Sequence, residues 1–445
     1  MKTTKIFMMA ALALITVACS NDDEFAQQPA EQPTNNEITI TAQLAPKSGE
    51  MTRAVADGGV ATWAVDEELA ILFNDGVNDL KRVATVTSVS AGVATIEFTI
   101  PGTLADNTAC TLVYPASAAN ADNTDVKAYA DLFTMQNGAL DYTLDVRKGA
   151  GTIQTGTPGL TVTTVLTPQF SIFKFTVQNL SSNAKTPTEF KITDGPGNWI
   201  TLVTPSASTF YVALPTLDAG TYWFYATIDD KPYIAKPNIG TATTAGNFYS
   251  TTVKMATIGN VIGENGKFYA NATAASAAST TARAIITYLG NETGEGFDGT
   301  HGLALATSDA NNGNYCWWST EYTDAGHSKQ ISTPFGSESG LQYRDATHNS
   351  DNYPAFKAAF ENNNKTKPVD CSDWFLPSGF QWQQMITAAG SYTTLRSNAN
   401  LSTNDYWSST EYSDVCAWRY DAGNGVFTNG GSKKNSFLVR SAVAF

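Results

Sequence analysis

Short runs in which apolar and polar residues alternate recur through the first 255 residues of this chain. In one of them Ile38, Ile40 and Ala42 alternate with threonines, and Ala94 to Ile100 follows the same rule. Because successive side chains of a β-strand point to opposite faces, a period of two indicates a strand with one buried face. Turn residues separate these runs about every ten residues, which is typical of a sandwich or barrel. The pattern therefore predicts a mainly β fold.

The composition also favours a mainly β fold, and it argues against a nucleic-acid partner. The chain has 445 residues, of which only 15% are charged and 34 are glycine. This composition suits exported β-rich modules better than helical enzymes, and the length allows roughly two to four domains. The formal net charge is −14, and no Lys/Arg cluster offers a track for phosphates, so we expect no nucleic-acid partner.

The first residues have the features of an export signal. Two lysines precede the apolar run Ile6 to Val17, which is too short to span a bilayer, so residues 1–18 are a predicted signal peptide. The sequence Thr-Val-Ala-Cys that ends at Cys19 resembles a bacterial lipobox. The resemblance implies a lipid on Cys19 that anchors an outer membrane lipoprotein precursor. The alternative is ordinary secretory cleavage beside an incidental cysteine.

The first alternating run is followed by a loop that a protease can reach. Pro46 and Gly49 end the run, and a polar stretch then presents the bond between Arg53 and Ala54, which suits a trypsin-like protease. A strand that leaves its sheet exposes unpaired backbone and an apolar groove, which another chain can fill by strand addition. We therefore predict that residues 19–53 form a tether and a removable first strand. The alternative is a plain first strand and an ordinary loop.

A second β region is expected to begin at residue 158. Within it Phe170 and Ile172 are followed by Phe173 and Phe175, so the apolar residues change phase. The change of phase predicts a β-bulge or burial on both faces. Further strands are expected at Phe210–Pro215, Gly220–Thr227 and Phe248–Lys254.

The last third of the chain has a different character, with α and β patterns together. Helices are expected near Ala274–Ala282, Pro354–Phe360 and Gly379–Ala389. The last of these carries Trp382, Met385 and Ile386 on one face. It should begin after Pro377 or Ser378, because serine is a favoured N-terminal cap.

The sequence offers no motif for catalysis or for metal binding. It has no Gly-rich phosphate loop, no Ser-His-Asp order and no H-E-x-x-H, so we predict a protein that is not an enzyme and uses no cofactor. With three histidines and no C-x-x-C pair, we predict no metal site. Export permits a disulfide, and Cys371 with Cys416 is the pair we expect. An acid/base pair of Glu321 and Glu411 is a less favoured alternative.

Two passages of the last third repeat each other, and they allow two interpretations. Trp317–Asp324 and Tyr406–Asp414 share a Trp-Ser-…-Thr-Glu-Tyr pattern. In the first interpretation the passages form a ligand surface, with tryptophans stacked on sugars and carboxylates bound to calcium or sugar hydroxyls. This surface would comprise Trp318, Glu321, Trp407, Glu411 and Trp418. In the second interpretation, which we favour, Trp407 lies in the hydrophobic core and Glu411 pairs with Arg440.

The order of these features resembles that of the Bacteroidetes fimbrillins, which are subunits of lipoprotein-derived pili. The resemblance covers roughly residues 1–255. It rests on the lipobox, the first strand, Thr52-Arg53-Ala54, Trp63 with its acidic turn, Phe170–Val177, Phe210–Pro215 and Ala245–Tyr249. It implies that an Arg-directed protease cuts after Arg53, that the first strand leaves, and that a strand of a neighbouring subunit fills the groove.

A second resemblance covers roughly residues 258–445. Leu376-Pro377-Ser378, Trp407–Glu411 and Val439-Arg440 resemble the motifs of a C-type-lectin-like module of bacterial surface proteins. The module implies a ligand that is a host or bacterial glycan or protein.

Together these features predict two fimbrillin-type β-sandwich domains followed by an α+β C-type-lectin-like domain. The expected ranges are 1–18 for the signal, 19–53 for the removable segment, 54–157 and 158–256 for the sandwiches, and 257–445 for the last domain. We expect an adhesive subunit of a cell-surface fimbrium, placed at its tip, with other fimbrial subunits as partners. The alternative is a glycan-binding lipoprotein that stays anchored through Cys19 and does not polymerise.

Overall fold

The fold is mainly β, with helices concentrated toward the C-terminus. The computed structural model describes residues 37–47, 62–195, 198–290, 301–310, 314–317, 351–362, 365–413 and 415–445. Among these residues no helix combines the length and apolar character needed to cross a membrane. Five of the predicted site residues lie outside the described residues, namely Cys19, Arg53, Ala54, Trp318 and Glu321.

The N-terminal part of the chain forms a curled antiparallel sheet. Its elements are β1 (Glu37–Leu44), β2 (Glu68–Asn74), β3 (Asp79–Ser90), β4 (Val93–Pro101), β5 (Thr108–Tyr114), α1 (Tyr129–Phe133), β6 (Met135–Gln136), β7 (Arg147–Gln154) and β8 (Gly159–Pro168). All the strands except β6 pair in the order β1-β4-β3-β2-β5-β7-β8. Because β1 also lies beside β8, the two edges of the sheet approach each other around one apolar core. We call this part the N-terminal unit.

The boundary predicted between residues 157 and 158 is wrong. β8 pairs with β7 along its length, so the first sheet extends to Pro168. The stretch is rich in exposed threonines, and its sequence alone does not show which neighbouring sheet it joins.

The middle unit is a sandwich of two main sheets. Its strands are β9 (Ser171–Asn179), β10 (Glu189–Gly195), β11 (Asn198–Val203), β12 (Thr209–Leu214), β13 (Gly220–Thr221), β14 (Trp223–Ile228), β15 (Lys231–Ala235), β16 (Asn238–Ile239) and β17 (Phe248–Met255). The sheets run β15-β14-β10-β11-β6 and β12-β9-β17, and β13 pairs with β16. Phe175, Phe190 and Phe224 meet between the main sheets, with ring centroids 5.4–5.6 Å apart.

The change of phase in the Phe170–Val177 run has a structural cause. Phe173 and Phe175 belong to the core of the middle unit. Phe170 and Ile172 belong instead to a cluster shared with the N-terminal unit, where they meet Leu72. The prediction of burial on both faces is therefore confirmed, because β9 lies between two apolar clusters.

The C-terminal unit combines two sheets with four helices among the described residues. Its elements are β18 (Val261–Gly263), β19 (Phe268–Tyr269), α2 (Ala272–Ala277), β20 (Ala282–Leu289), β21 (Gly302–Ala306), β22 (Asn314–Cys316), α3 (Pro354–Glu361), α4 (Gly379–Ala389), α5 (Tyr392–Ala399), β23 (Asp405–Glu411), β24 (Cys416–Asp421), β25 (Val426–Ser432), β26 (Ser436–Leu438) and β27 (Ala442–Ala444). The sheets run β19-β18-β20-β21-β27 and β22-β26-β23-β24-β25.

The start of α4 follows from its sequence. The Ser378 hydroxyl accepts a hydrogen bond from the Gln381 backbone N–H at 3.1 Å, and the Gln381 side chain accepts one from the Ser378 N–H at 2.8 Å. This capping box satisfies two donors that the first helical turn leaves open. The predicted helix over Gly379–Ala389 is confirmed, with Trp382 and Met385 buried.

The predicted disulfide between Cys371 and Cys416 is wrong, because both thiols are free. Cys371 is buried in an apolar cluster with Trp374 and Phe445. Cys416 is half-buried on β24, where it faces Ser432 of β25. Cys371 therefore lies in a buried loop and Cys416 on a strand of the second sheet, an arrangement that the sequence did not indicate.

His301 connects the middle and C-terminal units. Its ring stacks on Trp223 with centroids 3.6 Å apart, and its Nδ1 is hydrogen-bonded to the Tyr225 hydroxyl. Burial lowers the pKa of His301 to about 4, and the charge of Lys236 acts in the same direction. The neutral imidazole is therefore the form that this junction holds.

We expect the junction to make stability fall with acid. The folded state holds His301 with a pKa near 4, whereas an unfolded histidine titrates near 6.5. The contribution of neutral His301 is therefore full above about pH 6.5 and is lost as the pH falls toward 4. Melting temperatures of the native protein and of His301→Gln between pH 7.5 and 4 should converge in acid. Parallel profiles for the two proteins would contradict this expectation.

Candidate functional site

The first candidate site is the edge of the N-terminal sheet occupied by β1. β1 pairs antiparallel with β4 over eight residue pairs, which include Ile40 opposite Phe98 and Ala42 opposite Ile96. In the described part of the chain β4 is its only hydrogen-bonded neighbour in the sheet. A strand at this position can leave without breaking the pairing of the other strands.

The side chains of β1 follow the alternation that the sequence predicts. Ile40, Ala42 and Leu44 are 0%, 7% and 1% exposed, whereas Thr39, Thr41 and Gln43 are exposed. Ile38, at the start of the strand, is half-buried against the same core. β1 therefore supplies apolar side chains to the core of the N-terminal unit, and its removal would leave a groove lined by their former contacts.

Three residues beyond β1, Lys47 lies in a buried polar cluster. Its Nζ is 3.2 Å from Glu67 Oε2 and 3.8 Å from Asp145 Oδ2. The same ammonium lies 3.8 Å from the ring centroid of Tyr114 and 4.3 Å from that of Trp63. Lys47 is only 3% exposed, so its charge is compensated inside the protein.

The charges of this cluster depend on one another. Burial lowers the pKa of Lys47, while the charges of Asp145 and Glu67 raise it. Burial raises the pKa of Asp145, against the opposing charges of Arg147 and Lys47. The Arg147 Nε donates a hydrogen bond to Asp145 Oδ1 at 2.7 Å. Most residues of this cluster are far apart in the sequence, so no motif predicts it. The close spacing of Trp63 and Glu67 is the one local pattern that could have indicated it.

The second candidate site, the repeated tryptophan passages, lies largely in the interior. Trp407, Glu411 and Trp418 are 0%, 0% and 7% exposed, so their burial does not agree with a ligand surface. Trp407 donates from its indole N–H to the Tyr315 carbonyl at 2.6 Å. The interpretation of Trp407 as a core residue predicts this burial.

The ionic partner proposed for Glu411 is wrong. Glu411 pairs with Lys433, and both side chains are fully buried. Arg440 pairs instead with Asp309, whose Oδ1 accepts a hydrogen bond from its Nε at 2.7 Å. Both pairings join residues more than twenty positions apart, so sequence spacing could not choose between them.

The two repeated passages touch each other. Trp317, from the first passage, is fully buried and donates from its indole N–H to the carbonyl of Ser408 in the second at 2.8 Å. The ammonium of Lys433 lies 4.8 Å from the Trp317 ring centroid. The described parts of the repeat therefore build one interior. Over the same described residues, no cluster of three or more His, Cys, Asp or Glu side chains could bind a metal ion.

The comparisons with known proteins give structural neighbours of low similarity. No family model and no curated protein matches the chain. A fimbrial protein from Bacteroides ovatus is similar at 12% identity and a TM-score of 0.33, over 92% of this chain and 100% of its own. A fimbrial assembly protein from Parabacteroides distasonis is similar at 12% identity and a TM-score of 0.29, over 48% of this chain and 90% of its own. A candidate cell adhesion protein from Bacteroides ovatus is similar at 13% identity and a TM-score of 0.29, over 49% of this chain and 96% of its own.

We expect Glu411→Gln to destabilise the protein strongly. The variant removes the negative charge that faces the buried Lys433 ammonium, and breaking a buried ion pair costs about 3–5 kcal/mol. Replacing both partners with apolar residues, Glu411→Leu and Lys433→Met, should recover much of the loss.

Urea unfolding measures these effects, and Asp351→Asn is a matched control. Asp351 pairs with Lys357 at 2.7 Å, but its side chain is 93% exposed and the pair is screened by water, so its loss should cost little stability. Equal small losses for Glu411→Gln and Asp351→Asn would contradict a buried structural pair.

Proposed function

We propose that this protein is an adhesive subunit of a cell-surface fimbrium that assembles by strand exchange. The observation that carries the proposal is the position of β1, an edge strand that covers the core of its unit and is followed in the sequence by an Arg-Ala bond. Export as a lipoprotein through Cys19, cleavage after Arg53 and release of β1 are the steps we propose. A strand of a neighbouring subunit then takes the place of β1.

The energetics of β1 support this route. The strand forms a ladder of eight residue pairs with β4, and each backbone hydrogen bond contributes about 1 kcal/mol net. Its buried apolar side chains add about 25 cal/mol for each Å² removed from water. A replacement strand recovers both contributions, so subunits joined in this way dissociate slowly without a covalent bond.

The C-terminal unit supports a position at the end of the polymer. Its last strand, β27, pairs with β21, and Phe445 is buried against Phe268. The strand β27 is thus held within a sheet of its own unit. We propose that this unit is lectin-like and binds a glycan or protein ligand through a surface other than Trp407, Glu411 and Trp418.

We expect protein sheared from the cells to begin at Ala54. N-terminal sequencing measures this directly, because removal of residues 1–53 is the step that opens the groove. Arg53→Ala should keep the first strand attached and keep the protein out of fimbriae, whereas Lys434→Ala should be processed normally. A blocked, lipidated Cys19 on the surface protein would contradict the proposal and would indicate an anchored glycan-binding lipoprotein that does not polymerise.

A further inference from the structure

The cluster around Lys47 lies beyond the ladder that pairs β1 with β4, and it is a polar part of the core of the N-terminal unit. The cut proposed at Arg53 divides it. Lys47 lies on the segment that leaves, whereas the four residues around its ammonium remain with the subunit. We call these four the socket: Trp63, Glu67, Tyr114 and Asp145.

The socket is held in place by contacts that do not involve the departing segment. The Tyr114 hydroxyl donates to Glu67 Oε1 at 2.8 Å, and the Ala64 N–H donates to Glu67 Oε2 at 3.2 Å. The rings of Trp63 and Tyr114 meet edge to face with centroids 5.3 Å apart. Two aromatic faces and two carboxylates are therefore arranged around one cation, a geometry that binds ammonium groups.

Departure of Lys47 removes the cation that lies within 4 Å of the carboxylates of both Glu67 and Asp145. Asp145 Oδ2 is buried and accepts no hydrogen bond among the described residues, and Lys47 is the cation 3.8 Å from it. Removing one partner of a buried ion pair is strongly destabilising, so the open groove favours a strand that supplies a new cation at this place.

The socket also binds the backbone of the departing segment. The Trp63 indole N–H donates to the Ala45 carbonyl at 2.9 Å, next to the last buried residue of β1, Leu44. A cavity of about 330 Å³ adjoins Glu67 and Tyr114 and is lined also by Asp66 and Glu68, which adds negative charge near the socket. A replacement chain therefore meets a carbonyl-binding and a cation-binding position at a fixed distance from the groove.

We propose that the socket is an ammonium-binding site that selects the incoming strand, so the partner chain carries a lysine three residues after its last buried apolar residue. The partner segment is extended, has apolar residues at alternate positions, and repeats the spacing from Leu44 to Lys47. Apolar alternation alone fits any amphipathic strand, whereas the lysine fixes both the identity and the register of the donor. This inference rests on the proposed removal of β1.

Strand exchange with synthetic peptides tests the socket. The full-length protein is cut with an Arg-specific protease and mixed with an excess of fluorescent peptide that has the sequence of residues 37–53. After unlabelled peptide is added, the loss of fluorescence gives the dissociation rate. The peptide with Lys47→Met should dissociate about tenfold faster or more, because it keeps the apolar stem and lacks the charge.

Two controls make the result specific. The peptide with Gln43→Met adds the same side chain at an exposed position of the strand and should dissociate like the native peptide. In a cut protein with Glu67→Gln, the difference between the native and Lys47→Met peptides should shrink, because the socket has lost one of its carboxylates. A smaller difference between the two peptides in this variant would indicate that Lys47 of the peptide contacts Glu67 directly.

The outcomes separate this inference from the proposed function. If the native and Lys47→Met peptides both enter the cut protein and dissociate at equal rates, the proposal that the socket selects the strand is wrong. Strand exchange itself would still stand. Failure of every peptide to enter the cut protein would overturn the removal of β1, and the socket proposal with it.

Discussion

The curled N-terminal sheet depends on the burial of one face of its edge strand. Ile40, Ala42 and Leu44 cover the core at the place where the sheet approaches its own far edge. A sheet of this kind cannot leave that edge open, because apolar side chains and backbone groups would then meet water together. If β1 leaves as we propose, the same dependence makes its vacated position a strong binding site for another strand.

The C-terminal unit uses aromatic residues and buried ions in a different way. Trp317, Trp382 and Trp407 are fully buried, and each of their indole N–H groups donates to a backbone carbonyl of β22 or β23. The pair of Glu411 and Lys433 lies in the same interior. These residues specify how the sheets and loops of the unit pack, and a ligand site in this unit must be sought among other side chains.

Local sequence patterns predicted the elements well and their neighbours poorly. The alternation in β1, the two-faced burial of β9 and the capping box at Ser378 each depend on residues close together in the chain. The position of β8, the free thiols of Cys371 and Cys416, and the partner of Glu411 depend on contacts between distant segments. The socket combines residues from three such segments around Lys47, so a single lysine after a strand did not by itself indicate it.

The three units are joined by apolar clusters. The outer face of the N-terminal sheet, including Leu72, packs with Phe170 and Ile172 of the middle unit. Ile234 of the middle unit packs in turn with Val443 and Phe445 of the C-terminal unit. Tension applied at one end of such a molecule passes through packed side chains at each joint, and stretching the protein requires these clusters to be sheared apart.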